Sequence, residues 1–333
     1  MKVKKGIMQL FLLLTILCLS FSSVALGQDV DEEQLPNPTL PPGTPEYNAD
    51  LPDELLSDQL YASSAILIEY ESGNVIFEKN ADEIMHPAST TKILTVYLAS
   101  IIGQEQNLLN ETVYASEEAI HPLPEDSSLI PLKVGESINY KDLLFATMVR
   151  SGNDGANVLA EAAGGSIESF VSIMNDYVAS LGLTNTHFVN THGYTDPSHY
   201  TTARDMAAIA REALSDDLFR QTARLTSYSL PQSNETKAVT LNAQKYYFLD
   251  PESKYFYPSG IGIKTGTTTN AGYCFVGAAE KDGVTLISVV LYSGRYSRWE
   301  DTKKLMDYGF SQYVSTTPMK LYQQNPLYVN VSG

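Results

Sequence analysis

The first residues of this chain that could do chemistry are Ser89-Thr90-Thr91-Lys92. A serine hydroxyl is a weak nucleophile until a base removes its proton. On a helix, positions i and i+3 share a face, so the Ser89 hydroxyl and the Lys92 amine come within hydrogen-bond reach. A lysine buried among apolar groups can lose its charge and act as that base. The positive end of the helix dipole would then lie where an oxyanion develops. Taken alone the spacing is common, and an N-cap serine with a surface lysine is the plainer reading.

Two further triplets change that weighing. Ser151-Gly152-Asn153 follows a helix predicted over Tyr140 to Val149. A second hydroxyl there could pass a proton between Lys92 and a leaving nitrogen, and the Asn153 amide could bond a peptide group of a substrate. The plainer alternative is a helix-breaking turn. Ser72-Gly73-Asn74 has the same three letters in a predicted hairpin turn with nothing catalytic ordered around it, and is read as that turn alone. The third triplet, Lys264-Thr265-Gly266, ends the strand Ile261-Gly262-Ile263 and is followed by Thr267, Thr268 and Thr269. A cation and a hydroxyl on an edge strand suit a carboxylate ligand, and glycine there admits a substrate backbone. A strand end with a solvated lysine is the bland version.

Positioning these groups needs an ordered scaffold, and the pattern supplies one. Strand-like runs at Ser64–Glu69 and Val75–Glu78 flank a Gly-Asn turn and read as a hairpin. Helical periodicity runs from Ser89 to about Ile102, where Gly103 is expected to stop it. More helices are expected at Tyr140–Val149, Asp154–Ala163, Ile167–Leu181 and Thr202–Leu214. After Ser215 the texture turns to strand: Leu225–Leu230, Ala238–Leu241, Ile261–Thr265, Tyr273–Ala279 and Val284–Tyr292. A last helix is expected over Arg298–Tyr308. Strands, a helical middle, antiparallel strands and a helix make an α+β fold, an antiparallel sheet flanked by helices with an all-helical region, rather than alternating βαβ units.

The flanks read differently. Lys2, Lys4 and Lys5, an apolar run from Met8 to Ser20, and Ala25-Leu26-Gly27 before Gln28 make residues 1–27 an export signal. The run is short for a membrane span. Residues 28–59 are acidic and proline-rich and read as an extended linker. Residues 60–312 are the expected catalytic domain, and the short β-like pieces over 313–333 look like the start of a β-rich domain that the chain barely contains. Cys18 lies in the signal, which leaves Cys274 as a lone small core residue and no internal disulfide. With 22 basic and 39 acidic residues, the net charge of −17 argues against nucleic acid and against a polybasic membrane patch.

In this order, the three motifs resemble those of serine β-lactamases and penicillin-binding proteins. The middle Ser-Gly-Asn, rather than Ser-Asp-Asn, makes the chain similar to the low-molecular-weight penicillin-binding D-alanyl-D-alanine carboxypeptidases. The likeness runs from about Ser63 to Phe310. It includes Met148-Val149-Arg150-Ser151-Gly152-Asn153-Asp154, His192-Gly193-Tyr194-Thr195-Asp196-Pro197, His199 to Met206, Ala271-Gly272-Tyr273-Cys274 and Asp307-Tyr308-Gly309-Phe310. The resemblance implies a β-lactamase/penicillin-binding-protein-like fold and an exported envelope enzyme without a cofactor. Its partners would be peptidoglycan stem peptides ending in D-Ala-D-Ala, and β-lactam antibiotics. It implies Ser89 as nucleophile, Lys92 as general base and Ser151 as proton relay. Asn153 would hold the substrate amide, Lys264 and Thr265 would face the terminal carboxylate, and Gly266 would be among the substrate-binding residues. The N–H groups of Ser89 and Thr267 would form the oxyanion hole. Arg298 is a further candidate for reading the carboxylate. Some members end in a membrane-binding helix, so the resemblance leaves peripheral membrane contact open. The rival readings are a β-lactamase, a non-catalytic binder of cell-wall peptide, and a zinc hydrolase built on His187, His192, His199 and Asp196, whose spacing fits no His-Glu-x-x-His pattern.

Overall fold

The computed structural model describes residues 38–50, 54–243 and 247–313. Its main sheet has five antiparallel strands: β1 (Ser64–Glu69), β2 (Val75–Lys79), β7 (Gly260–Thr268), β8 (Gly272–Lys281) and β9 (Val284–Ser293), in the order β2-β1-β9-β8-β7. Between β2 and β7 the chain builds the helical region. Its helices are α1 (Lys92–Glu105), α2 (Glu117–Ile120), α3 (Tyr140–Arg150), α4 (Asn153–Gly164), α5 (Ile167–Ser180), α6 (Ala203–Ala213) and α7 (Asp217–Ala223). Two small antiparallel pairs, β3 (Thr112–Tyr114) with β4 (Ser137–Asn139) and β5 (Ser227–Leu230) with β6 (Val239–Asn242), decorate it. Helix α8 (Ser297–Gln312) closes the fold. Among the described residues no helix is long and apolar enough to cross a membrane.

Both faces of the sheet are covered, which explains why β1 reads as a continuous apolar run rather than an alternating one. Its side chains still divide by face. Ala65 and Leu67 pack with Phe275, Val290, Trp299, Leu305 and Met306 under α8. Ile66 and Ile68 pack with Val289, Ala207 and the helical region. Helix α8 lies very close: a Cβ on Gly309 would stand 2.6 Å from Leu67 Cδ2 and 2.6 Å from Leu286 Cδ1.

Helix α1 is buried on every side from Lys92 through Ser100, as a helix at the centre of a bundle must be. It does not stop at Gly103. It runs to Glu105 and ends before Asn107, which takes the left-handed conformation at φ 60°. Gly103 instead makes room for a ring, since a Cβ there would meet Tyr140 Cε1 at 2.5 Å. That ring is anchored by its hydroxyl, which donates to Ala99 O at 2.7 Å.

The stretch expected to be an extended linker partly lies on the body. Tyr47 and Leu55 pack against the α8 cluster, and Gln59 accepts from Leu56 N–H and donates to Pro45 O. One aromatic and one aliphatic anchor, with the Gln59 amide, suffice for that in an otherwise acidic, proline-rich segment. The expected signal over 1–27 lies outside the described residues, as does the β-like segment apart from Tyr313.

One buried carboxylate ties the start of β1 to the closing helix. Asp301 on α8 accepts from Tyr61 N at 2.9 Å, Ala62 N at 2.8 Å and Ser293 Oγ at 2.9 Å. Burial pushes its carboxyl up to about 6, against the pull of those donors. Replacing Asp301 with Ala strands two backbone donors and a hydroxyl. The expected loss is about 2–4 kcal/mol of unfolding free energy, read from the urea midpoint. An unchanged midpoint would show that the tie carries no stability.

Candidate active site

The segment that carries Ser89 is not the first turn of an α-helix but a 3-10 turn, Ala88–Thr91, that runs into α1. Ala88, just before the serine, has φ +48°, a left-handed conformation that only a well-determined surrounding sustains for a residue with a Cβ. That surrounding is visible on both sides. Gly193 presses on it so closely that a Cβ at 193 would come within 1.8 Å of Ala88 O. Gly266 of β7 lies on the other side, where a Cβ would stand 2.9 Å from Pro87 O and 3.1 Å from Ser89 N. The glycine of Lys264-Thr265-Gly266 is therefore needed for the strand to reach the serine's own backbone. The expectation that it serves the approach of a ligand missed this.

Lys92 sits one turn further on, fully buried. Its Nζ lies 3.1 Å from Ser89 Oγ and donates to Asn153 Oδ1 at 2.7 Å and to His192 O at 2.8 Å. A surface lysine beside an N-cap serine is thus not what the fold makes. The amide of Asn153, expected to meet a ligand, already holds the lysine, while the residue also lines the cleft.

The joint between α3 and α4 delivers the second triplet. Ser151 ends α3 in the left-handed conformation, φ 58°, and Gly152 caps α4. A side chain at 152 has no room: a Cβ would meet Ile130 Cγ1 at 2.7 Å and Asp154 Oδ1 at 2.8 Å. Asp154 in turn accepts from the N–H groups of Ile130, Leu132 and Gly155. Burial raises its carboxyl above the ordinary range, and these donors and the charge of Lys92 pull it back. This carboxylate pins the segment that forms one rim of the cleft, where Asn153 N–H also bonds Ser128 O at 2.7 Å.

Strand β7 brings the third triplet opposite. Lys264 Nζ donates to Ser151 Oγ at 2.9 Å and to Thr265 O at 3.1 Å. Burial, with the nearby Arg298 guanidinium second, pushes the Lys264 amine down to about 7. Arg298, from the first turn of α8, is itself buried under the rings of Tyr273 and Trp299, and Nη1 donates to Thr267 Oγ1 at 3.2 Å.

The outcome is one cleft of about 630 Å³ lined by Ser89, Ser151, Asn153, Lys264, Thr265, Gly266, Thr267 and Arg298, with Lys92 immediately beneath it. All nine residues singled out from the sequence meet there. Sequence reasoning missed the His192 carbonyl, Tyr194, and the rim Asp126–Leu129. Backbone carbonyls carry no sequence signal, and the one available hint was the glycine at 193, whose φ is +90°. The second Ser-Gly-Asn lies in the β1–β2 turn, where Glu69 accepts from Ser72 and Glu71 N–H groups, outside the cleft. His199 uses both ring nitrogens inside the protein, on Thr91 and Val189, and His192 Nδ1 accepts from Tyr194 N–H. Cys274 is fully buried on β8, its thiol pushed up to about 11 by burial.

Such an arrangement can place a base against a hydroxyl, a second hydroxyl against a second amine, and two cations against an anion. Known proteins with the same plan are numerous. A family model described as D-alanyl-D-alanine carboxypeptidase matches residues 52–294. The D-alanyl-D-alanine carboxypeptidase DacC of Escherichia coli is 36% identical over 270 residues, 78% of this chain and 64% of that protein. DacF of Bacillus subtilis is 36% identical over 267 residues, 79% of this chain and 65% of that protein. The chain thus spans a little under two thirds of the length of each. Among solved structures, the Streptomyces K15 DD-transpeptidase superposes with a TM-score of 0.69 at 29% identity, covering 76% of this chain and 98% of that one. Penicillin binding protein 5 of Haemophilus influenzae does so with a TM-score of 0.68 at 31% identity, covering 76% and 72%. By the extent of the family match and the identity to these relatives, this chain belongs to the D-alanyl-D-alanine carboxypeptidase family of peptidases.

Proposed function

We propose that the protein removes the terminal D-alanine from peptidoglycan stem peptides ending in D-Ala-D-Ala, outside the cytoplasmic membrane, through an acyl-enzyme on Ser89. The observation that carries this reading is the buried Lys92 amine 3.1 Å from Ser89 Oγ, held by two acceptors. A neutral amine has two N–H bonds and one lone pair. With the N–H bonds spent on Asn153 Oδ1 and His192 O, the lone pair is left for the proton of the serine hydroxyl.

Ser89 Oγ then attacks the carbonyl carbon of the penultimate D-alanine as its proton passes to Lys92. The Ser89 and Thr267 N–H groups take the oxyanion. The C–N bond breaks, the departing D-alanine nitrogen takes a proton through Ser151, and an ester on Ser89 remains. Water, deprotonated by the same base, hydrolyses that ester and frees the serine. Lys264, Thr265 and Arg298 hold the terminal carboxylate, and Asn153 and the edge of β7 hold the peptide. A β-lactam presents a carboxylate and a reactive amide in the same relation and acylates the same serine. Support for the location comes from the signal-like residues 1–27. Support for the substrate comes from the names of the relatives.

Two experiments test this. After treatment with benzylpenicillin, mass spectrometry is expected to find one covalent adduct on the wild type and none on Ser89→Ala. Release of D-alanine from a diacetyl-lysyl-D-alanyl-D-alanine peptide is expected to fall by at least about 10³-fold in that variant. An adduct on the variant would refute the nucleophile. Rapid penicillin hydrolysis with no lasting adduct would favour a β-lactamase, and peptide binding without D-alanine release would favour a non-catalytic binder. The second concerns the carboxylate. Lys264→Gln should lower kcat/KM on the peptide by about 10- to 100-fold, the worth of a charge-assisted bond. Converting the substrate's terminal carboxylate to an amide should then cost the variant much less than the wild type. Equal penalties in the two proteins would place the carboxylate elsewhere.

A further inference from the structure

The peptide unit between Ala88 and Ser89 has two ends. Its N–H belongs to Ser89, and its C=O belongs to Ala88, in one rigid plane. Whatever grips the carbonyl therefore aims the N–H. Ala88 O accepts from Thr91 Oγ1 at 2.8 Å. A hydroxyl has one proton, so with that proton on Ala88 O, Thr91 Oγ1 can only accept from its other partner. That partner is His199 Nε2, 2.8 Å away. The imidazole in turn takes Val189 N–H at 3.2 Å on Nδ1. An acceptor at Nδ1 and a donor at Nε2 define a neutral ring in a single tautomer, and every bond in the chain has only one possible direction. Val189 N–H gives to His199, His199 gives to Thr91, and Thr91 gives to Ala88.

The surroundings keep the ring in that state. His199 is fully buried, its ring packs edge-on against Phe188, and burial, with His86, His187 and Lys92 as further contributors, holds its pKa down to about 3. The same loop supplies Gly193, pressed on Ala88 O, and the His192 carbonyl that holds Lys92. The carbonyl so gripped belongs to the residue at φ +48°, the one place beside the nucleophile where the backbone would relax if released.

We infer that His199 and Thr91 are positioning residues for acylation, which together fix the Ala88–Ser89 peptide plane and so the direction of the Ser89 N–H that receives the oxyanion. Neither touches the substrate. The inference rests on the acyl-enzyme reading above, and goes beyond it by assigning a task to a histidine and a threonine that the proposed chemistry leaves unused.

The test is the rate of acylation of the full-length protein by benzylpenicillin, resolved into the dissociation constant of the first complex and the rate of the covalent step. Thr91→Val keeps the shape and removes the proton donor. The covalent step should slow by about tenfold or more, a fraction of what loss of a whole oxyanion donor costs, with the dissociation constant nearly unchanged. Thr91→Ser should return to within about threefold of wild type. His199→Leu should match Thr91→Val. His199→Gln, whose amide offers one N–H and one C=O, should be rescued to within about threefold. The Thr91→Val, His199→Leu double variant should be no slower than the slower single variant, because the two residues act in series. A folded Thr91→Val that acylates at the wild-type rate overturns the inference, as does a loss confined to the dissociation constant or a multiplicative double variant. If Thr91→Val fails to fold, the His199→Gln and His199→Leu pair decides alone: equal covalent rates overturn the inference, and rescue by glutamine supports it. A wild type that takes no penicillin label removes the acyl-enzyme reading and this inference with it, an outcome distinct from a labelled wild type with indifferent variants.

Discussion

An amine with no access to water must find its hydrogen-bond partners inside the protein, because leaving it unsatisfied costs several kcal/mol. Lys92 is that amine, and much of the helical region can be read as the answer to its demand. Asn153 can accept from it only if α4 begins where it does. That start needs Ser151 in a left-handed turn and Gly152 without a side chain, with Asp154 holding the rim segment at Ile130 and Leu132. The His192 carbonyl can accept only if its loop turns at Gly193, which brings that loop down onto Ala88. The strained positions Ala88 and Ser151 and the close-packed Gly193 and Gly266 all lie within this one network. Backbone strain persists where its surroundings over-determine it, and here they do.

The sheet supplies what the helices cannot, a straight edge at a fixed distance from the serine. Strand β7 keeps a regular ladder with β8 from Lys264 to Thr268, so its residues cannot drift relative to one another. Gly266 sets how near that edge comes. Helix α8 then backs the sheet and sends Arg298 forward to Thr267. The result gathers basic side chains in a molecule that is acidic on the whole. The chain carries 39 acidic against 22 basic residues, yet Lys92, Lys264 and Arg298 gather at one cleft. At physiological salt the acidic surface is screened over about 8 Å, whereas charges in a desolvated cleft are screened much less. How an anion would be held there therefore depends on Arg298 and on the charge state of Lys264.

What the sequence revealed of this follows from how local each feature is. Ser89 and Lys92 are three residues apart on one turn, and Lys264 and Thr265 are adjacent on one strand, so spacing alone relates them. The order of the main elements was legible for the same reason, and a helical middle between antiparallel strands was enough for the α+β class, although Asp217–Ala223 is a helix where strand was expected and the short elements α2, β3 and β4 were missed. Features that depend on distant parts of the chain were hidden. Nothing in Ser64–Glu69 indicates that its second neighbour is Val284–Ser293. Gly103 looked like a helix stop because its role depends on a tyrosine 37 positions later, Tyr140. The packing of Gly266 on the turn that carries Ser89 was hidden because Pro87 and Ser89 lie far from it in the chain. The His192 carbonyl could not be seen at all, since every residue has one.

The two amines of the site are held differently, and the difference bears on how Ser151 could act. Lys92 faces fixed acceptors, but Lys264 is depressed by burial and by Arg298 beside it. A neutral Lys264 can take the proton of Ser151 on its lone pair, which leaves the serine hydroxyl turned towards the amine. A charged Lys264 has only protons to offer, so Ser151 must accept from it and its own proton is released to point elsewhere. An anion arriving between Lys264 and Arg298 favours the charged form, because an opposite charge at close range stabilises it against burial. On the proposed reading, the terminal carboxylate of the substrate would itself turn the Ser151 hydroxyl outward, towards the nitrogen that must be protonated as it leaves. Recognition of the carboxylate and readiness of the relay would then be one event, transmitted through the single 2.9 Å contact between Lys264 and Ser151.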